Sequence, residues 1–170
     1  MATPIHQLRF LLEDAVKNYL LTVADPGIGV YMMAEQVAKG EEVARPYIAI
    51  LAASAVPTVP DANYYLSAAT NKTIELSLSI YTQADDVYDA VTGQATMTGR
   101  DYHRLLCGTI CDCFHDPAIV QNLNNQGIDG LQVQDCYFQR EQSTVEGAGY
   151  GTEYVWSLNC VAIQGTAGGL

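Results

Sequence analysis

The chain has 170 residues, 49% apolar and only 16% charged, and its 19 acidic against 8 basic residues leave a net charge of −11. Eight scattered Lys and Arg cannot build the cationic footprint that phosphates require, which excludes specific nucleic-acid binding. No run reaches the roughly 20 apolar residues of a membrane-spanning helix, and Met1 to Arg9 carry no signal-peptide pattern.

Taken in chain order, the first predicted element is a helix. Thr3 is placed to cap it, and Pro4 occupies its first position, where a missing N–H costs nothing. Ile5, Leu8, Leu12, Ala15 or Val16, Tyr19 and Val23 recur at helical spacing, with Arg9, Glu13, Lys17 and Asn18 on the polar side. Asp25-Pro26-Gly27 ends the pattern. Tyr31 to Lys39 reads as either a short helical turn or an irregular link. Arg45 to Ala52 reads as a strand with Pro46 at its start, and Ser54 to Asn71, with Pro57 and Pro60, as a long exposed loop.

Thr73 to Thr82 then alternates without a break. Ile74, Leu76, Leu78 and Ile80 point one way; Thr73, Glu75, Ser77, Ser79 and Tyr81 point the other. Successive strand side chains project to opposite faces, so this strand predicts a sheet with one buried and one wet face. Gln83 to Arg100 is a polar stretch with acidic clusters. Asp101 to His115 forms the second helix, whose apolar stripe is Tyr102, Leu105, Leu106, Cys107, Ile110, Cys113 and Phe114, with Pro117 as its stop. Gln121 to Gly130 turns the chain. Leu131 to Arg140 and Thr152 to Gln164 are two antiparallel strands joined by a long, polar, glycine-containing loop, Glu141 to Gly151. The apolar parity of the first switches between Val133 and Cys136, which predicts a bulge. The sum is a single α+β domain over 1–170 with a flexible tail at 165–170. Its core is a four-stranded, mainly antiparallel sheet with two helices packed on one face and a long β-hairpin.

The chemical candidates are few. His103, Cys107 and Cys111 lie four residues apart and share a helix face, which permits a metal or thiol reading, but no second ligand cluster closes a tetrahedral site. A buried histidine beside buried thiols is the alternative. Asp85, Asp86 and Asp89 do not match the calcium-loop spacing and read as a solvated loop. The expectation is therefore no enzyme, no metal and no cofactor. The rival is a small ligand-binding or thiol enzyme domain using His103 and Cys107.

The order of elements resembles the tail terminator and neck (head-tail joining) proteins of tailed bacteriophages. The residues that carry it are the amino-terminal helix, the Arg45-Pro46-Tyr47-Ile48 strand entry, the long loop, the Thr73 to Thr82 strand, the Asp101 to Phe114 helix and the closing hairpin. The resemblance implies a non-catalytic virion protein, assembled in the host cytoplasm, that forms a ring, usually a hexamer. Such a ring caps the tail tube and offers the tail to the neck and connector proteins, with DNA passing through unbound and no membrane involved. Glu75, Ser77, Ser79, Tyr81, Glu141, Thr144, Glu146 and Tyr150 are then the candidate interface. Asp85, Asp86 and Asp89 are the candidate lumen, where they would repel DNA. Another neck or tail-tube subunit is the neighbouring alternative.

Overall fold

The computed structural model describes residues 7–33, 43–57, 71–146 and 149–163. Helix α1 is Leu8–Val23. Thr3 and Pro4, expected to start it, lie outside the described residues, as do most of the expected 54–71 loop and the 165–170 tail. Leu8, Leu12, Ala15, Val16 and Leu20 are fully enclosed, as their three-to-four-residue spacing requires. Glu13, expected on the polar side, is buried too. Its carboxylate accepts the Ala52 amide N–H at 2.9 Å.

After a turn in which Ile28 N–H donates to the Asp25 carbonyl, the chain enters strand β1, Gly29–Met32. It pairs in parallel with β2, Tyr47–Pro57, from Gly29 opposite Tyr47 to Met32 opposite Ile50. Tyr31 therefore belongs to a strand rather than to a helical turn or link. Strand β3, Asn71–Gln83, runs antiparallel to β2 on one side and to β7, Gly149–Ala162, on the other. β6, Leu131–Glu146, closes the sheet, giving the order β1-β2-β3-β7-β6. The α+β class holds, but the sheet is mixed and five-stranded where the element order predicts four. The polar 83–100 stretch also holds a second, two-stranded sheet of β4, Val87–Tyr88, and β5, Ala95–Met97.

Ile74, Leu76, Leu78 and Ile80 are wholly buried against the helices. Helix α2, Gly99–His115, begins where the Thr98 hydroxyl accepts the Asp101 N–H at 3.1 Å. It buries His103, Leu106, Cys107, Ile110 and Phe114. Its stripe is narrower than expected, because Leu105 lies on a flank and is 58% exposed, with Tyr102 and Cys113 half-buried. A short helix α3, Ile119–Asn124, replaces part of the expected turn. The Asn124 amide donates to the Val133 carbonyl and accepts its N–H, both at 2.8 Å, so a side chain satisfies backbone groups of β6.

The expected Glu141–Gly151 loop is mostly ladder. β6 and β7 pair until Glu146 meets Gly149, and Gly149 also faces Gln83 of β3. With partners on two sides, β7 extends beyond what its composition suggests. The register of β6 slips at Val133/Asp135, where the parity switch places it, and again at Phe138/Arg140.

Candidate functional site

All helical core residues pack on one face of the sheet, and among the described residues no helix covers the other. That open face is a grid set by the strand registers. Tyr47 sits beside Tyr81, which pairs with Gly151; Ala49 beside Ser79 and Glu153; Leu51 beside Ser77 and Val155. Beyond β7, Arg140 pairs with Val155, and Tyr137 with Ser157.

Aromatic rings run along one end of this face. Tyr31 meets Tyr47 edge-on with centroids 6.1 Å apart, Tyr47 meets Tyr81 at 4.9 Å, and the Arg45 guanidinium lies 5.3 Å over the Tyr81 ring. Polar side chains tie the remainder together. The Ser77 hydroxyl donates to Glu153 at 2.7 Å and the Thr73 hydroxyl to the Asn159 side-chain oxygen at 2.9 Å. Arg140 and Glu75 pair across β7 at 3.8 Å. Cross-strand pairs of this kind fix side chains in place, so the surface is preorganised.

The eight interface candidates do not form one surface. Glu75 and Tyr81 lie on the open face with part of their surface in solvent. Ser77 and Ser79 share the face but are only 4% and 6% exposed, and their cross-strand neighbours Val155 and Ala49 are enclosed with them. Glu141 and Tyr150 belong to the helix side. Glu141 accepts the Tyr154 hydroxyl at 3.3 Å, and Tyr150 stacks on His103 with centroids 5.7 Å apart. Thr144 and Glu146 lie in β6, and their side chains fall outside the described residues. Sequence reasoning missed Tyr31, Tyr47, Glu153 and Arg140. The period-two phase of Tyr47, Ala49 and Leu51 was the available signal for the second.

His103 and Cys107 do come together, 3.4 Å apart, inside the molecule. His103 Nδ1 bonds the Thr82 hydroxyl and Nε2 the Thr152 hydroxyl, each at 2.8 Å, so the neutral ring uses one nitrogen as donor and the other as acceptor. Burial, and secondarily the Arg45 charge, hold the imidazole below its ordinary pKa. Arg45 donates to the Thr82 and Tyr150 carbonyls at 3.1 and 3.4 Å, tying the ends of β3 and β7. Burial pushes the Cys107 thiol up, and Cys111 to about 11. Thiols in this state are poor nucleophiles and poor metal ligands. Among the described residues no group of three His, Cys, Asp or Glu is arranged to hold a metal.

The lumen candidates separate as well. Asp89 is committed locally: its carboxylate accepts the N–H groups of Val91 and Thr92, each at 2.8 Å, and these bonds lower its pKa. Asp85 and Asp86 remain exposed at the mouth of a cleft beside α2. Comparison of the sequence with protein-family models and with curated proteins finds no significant match.

Proposed function

We propose that this protein is a structural virion subunit of a tailed phage, a ring-forming tail terminator that caps the tail tube and joins the tail to the neck. The single observation that carries this reading is the open sheet face. Five strands present a fixed grid of tyrosines and interlocked polar pairs around an enclosed centre of Ala49, Ser77, Ser79 and Val155, with no helix over it among the described residues. Aromatic groups held in place with a polar surround are the ingredients of a docking interface. A ring needs heterologous contacts, in which this face meets a different surface of the next copy. The tube protein and the neck proteins are then the further partners, and the acidic surface lets DNA pass without specific contact.

The test is the mass of the purified chain by light scattering, with electron microscopy of the same sample. A closed ring of fixed stoichiometry is expected, together with arrest of tube elongation when the ring is added to polymerising tube protein. Tyr31→Glu with Tyr47→Glu is expected to dissolve the ring. A wild-type chain that stays monomeric at high concentration overturns the proposal.

A further inference from the structure

We infer that the cleft where the β3–β4 connection meets the start of α2 is a docking site for a basic segment of a partner protein, with apolar residues flanking its cations. Two cavities share Tyr102 as a wall. The larger, about 330 Å³, is lined by Pro46, Asp85, Asp86 and Tyr88. The smaller, about 200 Å³, presents Ile28, Leu105 and Leu106, with Asp25 at its edge.

The charge of this groove is one-sided. Among the described residues no Lys or Arg lines either cavity. Neighbouring Asp101 is already paired with Arg104, whereas Asp85 and Asp86 are exposed and make no ion pair among the described residues. Burial, and secondarily the Asp25 charge, raise the Tyr102 hydroxyl above its ordinary pKa, in keeping with Asp25 lying at the wall the two cavities share. A guanidinium or ammonium entering the larger cavity meets two carboxylates and the rings of Tyr88 and Tyr102. Its methylene stem and a neighbouring leucine fit the Leu105–Leu106 side. A nucleic acid or acidic peptide is repelled, and a bare metal ion makes no use of the tyrosine and leucine walls.

The groove is also preformed. Gly99, the first residue of α2, lies so close to the chain before β4 that a Cβ there would collide with the Ala84 carbonyl and stand 2.7 Å from the Asp85 carbonyl oxygen. This contact fixes Asp85 and Asp86 against the helix that carries Tyr102. The inference goes beyond the ring and does not require it.

The probe is a fluorescein-labelled peptide alternating arginine and leucine, titrated with the full chain and read by anisotropy. Saturable binding is expected, with none for the same peptide carrying glutamate in place of arginine. Asp85→Asn with Asp86→Asn is expected to weaken it about tenfold. The charge-matched control Asp14→Asn with Asp129→Asn should change it less than about twofold. Equal losses in the two variants would reduce the effect to general acidity and overturn the assignment. Loss of self-assembly in the Asp85/Asp86 variant would make a second copy the occupant and overturn it equally. Tyr88→Ala, at a side chain 61% exposed and so outside the folding core, gives an independent loss of binding. An unchanged affinity there would also refute the site.

Discussion

Two buried polar residues carry the sharpest consequences at the scale of single side chains. β1 ends at Met32, opposite Ile50, and two residues further along β2 the Ala52 amide turns to Glu13 instead of a strand. Helical spacing alone cannot announce this, because a glutamate one position after Leu12 looks like the start of the polar side. Glu13→Ala should destabilise the fold by about 1–3 kcal/mol, the range for leaving a buried amide unpaired. Glu13→Gln, which keeps an acceptor oxygen, should cost less; urea midpoints measure both. His103 gives a pH dependence with a definite sign. Its folded pKa is depressed by burial and by Arg45, so the unfolded chain binds the extra proton. Its contribution is complete above the ordinary value of 6.5 and is lost as pH falls from there towards the lower folded value. The charged and titratable groups around it are Arg45, Cys107 and Tyr150. Urea midpoints should fall more between pH 7.5 and pH 5.5 in the wild type than in His103→Gln, and equal slopes would refute the assignment.

At the scale of elements, what could be read from the chain depended on whether a pattern was local. The strict alternation of 73–82 and the parity switch in β6 are properties of consecutive residues, and both appear as central strand and bulge. β1 has only Gly-Val-Tyr-Met and owes its strand to a parallel partner fifteen or more residues away, which no short window contains. The hairpin tip reads as loop because it is polar and glycine-rich, yet Gly149 is there for contact. A Cβ would collide with the Thr82 carbonyl and stand 3.0 Å from an Arg45 guanidinium nitrogen. The open face was legible as a polar stripe, but its rigidity was not, since Ser77, Glu153, Glu75 and Arg140 meet only across strands. Close approach of elements can be tested directly. Gly99→Ala should force the chain before β4 away from α2 and cost about 1–3 kcal/mol, as overpacking does. Gly108→Ala in the same helix, with open space around it, should be neutral or slightly stabilising. Thermal melts of the pair separate a packing effect from a simple propensity effect.

For the whole molecule, the net charge of −11 and the two proposed contacts make opposite demands on salt. Copies of one acidic chain repel each other, and that repulsion is screened as the Debye length shrinks from about 10 Å at 0.1 M to about 3 Å at 1 M. Association through the tyrosine-bearing sheet face, held by apolar burial and short-range hydrogen bonds, survives that screening. A basic segment in the Asp85–Asp86 cleft is drawn by the same charge, so its attraction fades under the same screening. Self-association measured by sedimentation should therefore strengthen from 0.05 M to 0.5 M sodium chloride, while anisotropy binding of the arginine–leucine peptide weakens over that range. If both weaken together, Coulombic attraction also holds the copies together, and the open sheet face is not what joins them. If both strengthen, the peptide is bound through its leucines alone, and the carboxylates at the cleft mouth play no part.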